Sequence, residues 1–151
     1  MPDAASTRQL FDEIAAFSRK LRAHFDSMVR ERGLTLPRAR AMFALLKRDG
    51  LNQRELSEIL ELETPTVVRL LDSMEAQAFI ERRADEADRR AKLVYLTPEG
   101  RKLAQEIDSM AAALRSDLRL ELDDEELRVA LKVLTSMSAR LLDLKSGEGG
   151  R

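Results

Sequence analysis

Between Asn52 and Gln77 the chain carries two short helical patterns with only residues 60–63 between them. So short a connection forces consecutive helices to cross sharply, which is helix-turn-helix geometry. Both helix starts are marked. Asn52 and Glu55 have capping-box spacing, and Leu51 and Leu56 sit where a hydrophobic staple closes. The second helix opens on Thr64-Pro65. Thr64 is expected to supply the cap oxygen, and Pro65 suits the first helical position because its φ is preset and it has no amide to leave unpaired. Val67, Val68, Leu71 and Met74 follow as an inward stripe, with Thr66, Arg69 and Ser73 on the opposite face. A helix whose outer face is small and polar, with arginine as its longest reach, fits a DNA major groove.

The segments 79–83 and 92–96 alternate in polarity and predict two short strands. The loop between them has neither Gly nor Pro, and the hairpin presents Arg89, Arg90 and Lys92 at its tip. Upstream, a first helix is expected to begin at Ser6, with Gln9 as capping-box partner, and to stop at Gly33. Leu10, Ile14, Phe17, Leu21 and Met28 step along it by four and three, His24 filling the missing step. A second helix is expected from Leu36 to Arg48, capped by Thr35 and ended by Gly50. Downstream, Thr97-Pro98 opens a fifth helix reaching about Arg119. Asp123 and Glu126 box the start of a sixth, along which Ala130, Leu134, Met137, Leu141 and Leu144 repeat the four-three step. The fold class is therefore mainly α with a small two-stranded β-wing. One structural domain divides into a dimerisation helix at 1–34, a winged helix-turn-helix at 35–97, further dimerisation helices at 98–145 and a Gly-rich disordered tail at 146–151.

The long terminal helices carry more apolar surface than a small winged-helix core can cover. Leu10, Ile14, Phe17, Leu134, Met137 and Leu141 are expected to bury it in a two-fold homodimer, which also presents two reading helices with the symmetry of a palindrome. The net charge of −1 hides a separation: ten Lys/Arg against three acids over 19–54, then Glu121, Asp123, Asp124, Glu125 and Glu126 close together. With no cysteine in 151 residues, disulfides and thiol metal sites are excluded. One histidine supplies too few ligands for a metal, so neither metal nor cofactor is expected. No apolar run approaches the roughly 20 residues that cross a bilayer, and the N-terminus lacks a signal pattern, so no membrane partner and a cytoplasmic location are expected. No catalytic constellation can be assembled, and an enzyme is not expected.

From Ser6 to Leu144 the chain resembles the MarR family of bacterial winged-helix regulators. The resemblance rests on Gln53-x-Glu55-Leu56, then Val67-Val68-Arg69-Leu70-Leu71-Asp72-x-Met74-Glu75, then the wing Asp88-Arg89-Arg90-Ala91-Lys92 leading to Leu96-Thr97 and Gly100. The helix and wing together are most similar to the SlyA-like branch. The resemblance implies a dimer paired through its terminal helices, DNA held by the fourth helix and the wing, and a small-molecule cleft between the two regions. By position, Arg69 matches the reading-helix arginine and Arg90 the wing-tip arginine of the minor groove. One departure bears on the wing's angle: the family usually has Gly before an apolar residue after the reading helix, and here the pair is Ala78-Phe79.

Double-stranded DNA and a second copy of the chain are thus the expected partners. The DNA-contacting set is Gln53, Arg54, Thr64, Pro65, Thr66, Arg69, Ser73, Arg89, Arg90 and Lys92. Arg90 at a hairpin tip suits a narrow, negative minor groove. Arg69 has three readings: a guanine edge, a phosphate or an acid of the wing. Arg89 has two, a phosphate or Asp88. Asp88 is expected to orient a nearby arginine through an ion pair. His24 belongs either to the dimer interface or, with Arg40, Met42, Phe43 and Leu46, to a cleft for a small aromatic or anionic effector. The expected function is a homodimeric transcription factor, a repressor on a pseudo-palindromic operator, released by that effector. The rival from another class is a winged-helix module that scaffolds protein partners without binding DNA.

Overall fold

The computed structural model describes Met1 and residues 3–148. The elements run α1 (Ala4–Arg30), α2 (Leu36–Lys47), β1 (Leu51–Asn52), α3 (Gln53–Leu60), α4 (Thr64–Ala76), β2 (Ile80–Ala84), β3 (Lys92–Leu96), α5 (Pro98–Leu118) and α6 (Asp124–Glu148). Packing groups them into two units, Met1–Ala111 and Ala112–Arg151, with the boundary inside α5. The winged helix-turn-helix lies wholly in the first. Its core also takes in Val29 of α1 and Ala104 and Ile107 of α5, so packing crosses the sequence-based divisions at 34/35 and 97/98.

α1 starts earlier than its apolar spacing suggests. Asp3 is the residue before the first turn, so Ser6 is already inside the helix and the Ser6–Gln9 box does not form. The Thr7 hydroxyl donates to the Asp3 carbonyl instead, at 3.2 Å. The helix ends as expected at Gly33, whose φ of +74° lets Leu34 N–H reach Val29 O and Gly33 N–H reach Arg30 O, each at 3.0 Å. Thr35 precedes α2 but caps it only through its carbonyl, which accepts from Ala39 N–H. Gly50 lies past the end of α2, where its N–H donates to Val94 O.

The expected box at α3 is present: Glu55 N–H donates to Asn52 Oδ1 at 2.8 Å, and Asn52 N–H to Glu55 Oε2 at 2.9 Å. These bonds, led by the Asn52 amide and followed by the Arg48 guanidinium, hold the Glu55 carboxyl below its ordinary range. α3 closes on Glu61 in the left-handed region, φ +54°. At α4 the expectation is corrected. Glu63, extended at ψ 143°, is the flanking residue, and Thr64 is already helical, so its side chain caps nothing. Pro65 still falls in the first turn. Val67, Leu71 and Met74 are fully buried, whereas Val68 is half-exposed.

Three strands form the sheet, in the order β1-β3-β2, all antiparallel. Leu51 pairs with Val94, a third strand that two residues of sequence do not announce. β2 begins one residue later than expected, with Ile80 opposite Leu96 and Arg82 opposite Val94. The loop of the wing turns without Gly or Pro because two aspartates do the work. Asp85 Oδ1 accepts from Ala87 N–H and Asp88 Oδ1 from Arg90 N–H, both at 3.0 Å.

The turn from α4 into β2 keeps the geometry that favours glycine although its residue is Ala78, at φ +60°. Ala78 N–H donates to Glu75 O at 2.9 Å and Phe79 N–H to Met74 O at 3.0 Å, the paired bonds of a Schellman turn. The departure at Ala78-Phe79 therefore leaves the turn's bonding intact and places strain on Ala78. A left-handed alanine costs about 1–2 kcal/mol. Glycine's extra freedom in the unfolded chain offsets about 0.4–1 kcal/mol of any relief. Ala78→Gly should therefore stabilise the protein by about 0.5–1 kcal/mol in denaturant titrations at matched concentration.

Asp49 ties the base of the wing together, accepting from Leu96 N–H at 2.9 Å and pairing with Arg101 of α5. Thr97 joins α5 to the same turn: its hydroxyl donates to Ala78 O at 2.6 Å and accepts from Gly100 N–H at 3.0 Å.

In the second unit, the Asp123–Glu126 box forms as expected, with bonds of 2.8 and 3.0 Å. α6 continues through Ser146 and Gly147 to Glu148, where a disordered tail was expected; residues 149–151 lie outside the described residues. No residue from 124 to 147 is fully buried. Leu134 is 46% exposed and Leu141 62%, with Met137 half-buried. Among the described residues, no helix is long and apolar enough to cross a membrane.

Candidate nucleic-acid interface

The first unit turns three polar features outward. The first turn of α4 carries Thr64, Pro65 and Thr66, all exposed, with Arg69 one turn further on. Arg69 Nε reaches back to Pro65 O at 3.4 Å, and no acid pairs with it among the described residues. Its wing-acid reading is thereby removed. Ser73, expected outside, is half-buried and accepts a hydrogen bond from Arg38 of α2. Helical phase explains this: Ser73 is three residues from Leu70, which packs against the core, so it flanks the buried stripe.

The wing presents Arg89, Arg90 and Lys92, all exposed and without an ion pair among the described residues. The Asp88 expectation is corrected here. Its carboxylate caps the Arg90 backbone N–H rather than a guanidinium, so it shapes the loop instead of holding an arginine side chain. The second reading of Arg89, a pair with Asp88, falls with it.

Between wing and helix-turn-helix lies an open cleft of about 500 Å³, lined by Asn52, Gln53, Arg54, Arg82, Arg90, Ala91 and Lys92. The structure thus brings Gln53, Arg54, Arg90 and Lys92 to one place, at the N-terminus of α3, where free amides and the helix dipole favour an anion. Arg54 pairs loosely with Glu58, at 3.5 Å across an exposed helix turn. Arg82 is the lining residue that sequence reasoning missed. Its side chain is only 14% exposed and bonds Asp72 and Glu75 of α4. Strand alternation was the available signal, since Arg82 is two residues from the buried Ile80 and shares its face.

The expected effector set does not come together as expected. Met42 is fully buried in the core, and Leu46 is packed against it. His24 is exposed on α1. Arg40 and Phe43 do line a common cleft, about 460 Å³, with Ala44, Lys47, Arg48, Leu51, Ile59 and Leu60. Its floor is apolar and its rim cationic, although Arg40 Nη1 also donates to Leu60 O at 3.1 Å. Among the described residues, no group of three His, Cys, Asp or Glu is placed to hold a metal.

A helix-turn-helix backed by a three-stranded wing, with a reading helix and wing cations facing outward, defines a winged-helix DNA-binding regulator. The sequence profile of the MarR family matches residues 32–91. The chain is 35% identical to the transcriptional regulator PA3341, the likeness covering 89% of this chain and 98% of that one with a TM-score of 0.79. It belongs to the MarR family. It is also similar to MepR of Staphylococcus aureus, solved as a DNA complex: 27% identity over 88% of this chain and 96% of that one, TM-score 0.75. The fold is likewise that of the regulator SlyA, at 20% identity over 87% and 93% of the two chains, TM-score 0.76. Family and fold are those of transcriptional regulators rather than enzymes.

Proposed function

We propose that the chain is a cytoplasmic, homodimeric repressor that binds a pseudo-palindromic operator and is released by a small-molecule effector. Each protomer lays α4 in a major groove, with Thr64, Pro65 and Thr66 at its phosphate-facing end and Arg69 reaching bases or phosphate. Each wing places Arg90 in the flanking minor groove, with Arg89 and Lys92 on the backbone. Gln53 and Arg54 meet the phosphates where α3 crosses them. The half-sites lie about one helical turn, roughly 10 base pairs, apart. The observation that carries the proposal is the set of exposed wing cations without ion pairs among the described residues, two of them sharing a cleft with Gln53 and Arg54. The MepR–DNA complex supports the same use of the fold.

The dimer is supported by the apolar surface left exposed on α1, at Leu10 and Phe17, and on α6, at Leu134 and Leu141, with Ile14 and Met137 half-buried beside them. In the dimer His24 lies on the same α1 seam. For the effector, the cleft of Arg40, Phe43 and Lys47 supports an aromatic or anionic ligand, apolar walls taking the ring and the rim its charge. Binding there couples to DNA through the separation of the two reading heads.

The test is Arg90→Ala. A charge-assisted contact contributes about 1.5–3 kcal/mol, and each dimer makes it twice. Operator affinity should fall roughly a hundredfold or more while sedimentation still reports the dimer. Unchanged affinity would remove Arg90 from the interface. Retained protein-partner binding with no DNA binding at all would favour the scaffolding module.

A further inference from the structure

We infer that Arg82 is a positioning residue that sets the wing against the reading helix, and with it the spacing between the bases met by Arg69 and by Arg90. The inference rests on the DNA-binding proposal above. Arg82 sits on β2 opposite Val94 of β3, the strand that leads out of the wing loop. Its guanidinium forks across two carboxylates of α4: Nη2 meets Asp72 Oδ1 at 2.7 Å and Nη1 meets Glu75 Oε2 at 3.2 Å. The two acids are three residues apart and so lie on one helix face. Arg82 Nε is buried without a partner among the described residues, which leaves the two Nη groups to hold the side chain.

Most exposed ion pairs do little, because both side chains lose freedom and water screens the charges. This arginine is only 14% exposed, so its stem is already fixed and the fork joins two elements that are ten residues apart in sequence. It also lines the cleft that holds Arg90 and Lys92. A shift of β2 along α4 would therefore carry Arg90 with it. Lysine keeps the charge but offers one point instead of a planar fork, and cannot hold both carboxylates in the same way.

The experiment selects bound sequences from a random duplex pool with wild type, Arg82→Lys, Arg90→Ala and the double variant, and measures each affinity at low and high salt. Arg82→Lys should lose base preference at the flanking positions while keeping it at the half-site cores. Its affinity should fall roughly five- to tenfold, yet by less than about twofold when Arg90 is already alanine. That loss should persist at high salt, whereas repulsion from two freed carboxylates would be screened away. Should Arg82→Lys fold poorly, Asp72→Asn with Glu75→Gln cuts the same tie from the α4 side and should give the same flanking loss. A motif identical to wild type, or an equal loss in both Arg90 backgrounds, would overturn the positioning role. An unselective wild type would instead overturn the DNA-binding proposal, and this inference with it.

Discussion

Leu134→Glu with Leu141→Glu should yield a monomer that no longer holds a two-half-site duplex. Both leucines lie on the four-three seam of α6, and both are exposed in the single chain, at 46% and 62%. Burying apolar surface contributes about 25 cal/mol per Å², and a long helix with no fully buried residue from 124 to 147 has most of that gain still to make. Two glutamates on each protomer reverse it, because an unpaired carboxylate in a dry interface costs several kcal/mol. Losing the second reading head removes an effective concentration that multiplies affinity by about 10²–10⁴, so operator binding should weaken at least about a hundredfold. The winged helix-turn-helix has its own core and should remain folded. Sedimentation with a duplex-binding titration checks this. A dimer at micromolar concentration with undiminished binding would place the dimer contact elsewhere.

Gly100→Ala should cost about 3 kcal/mol, at the upper end for overpacking, and lower Tm by roughly 6–12 °C. Gly100 is buried in the first turn of α5, where an added Cβ would lie 1.9 Å from the Phe79 carbonyl oxygen and 2.8 Å from its carbon. Both obstacles are backbone, so no side-chain rotation relieves them. The α4–β2 turn at Ala78-Phe79 must move away from α5, against the Thr97–Ala78 bond and the Asp49–Arg101 pair. Because that turn leads into the wing, DNA affinity should fall with stability. A variant melting within a degree of wild type would show that the turn yields more easily than its bonding implies.

The parts of the fold that were legible in sequence are those held by local bonding. Asn52–Glu55 and Asp123–Glu126 announced their helices because a capping box lies within four residues. Gly33 did the same for the end of α1. Sequence misleads where context beyond a few residues decides. Thr64 looked like a cap, but the left-handed Glu61 turns the chain so that Glu63 takes the flanking position and Thr64 enters the helix. β1 is too short to show a period. Asp88 reads as an ion-pair partner in the sequence, but the loop, lacking glycine, takes its carboxylate for a backbone amide.

The candidate interface was legible to the same degree. Exposed cations such as Arg89, Arg90 and Lys92 are evident from the hairpin alone. The buried tie of Arg82 to Asp72 and Glu75 is not, since it depends on how β2 lies against α4. The effector set failed for a related reason. A helical wheel places Met42 beside Phe43 but does not say that the core takes Met42 and leaves Phe43 on a cleft with Ile59.

The measurement to make first is selection of bound sequences from a random duplex pool by the intact dimer, with the affinity of the winning sequence followed against salt. A sequence-specific dimer gripping phosphates predicts a two-fold symmetric motif and a log–log salt slope of about −0.9 for each phosphate neutralised. No enrichment from a stable dimer, or an affinity indifferent to salt, would contradict it and leave the winged helix as a protein-interaction module.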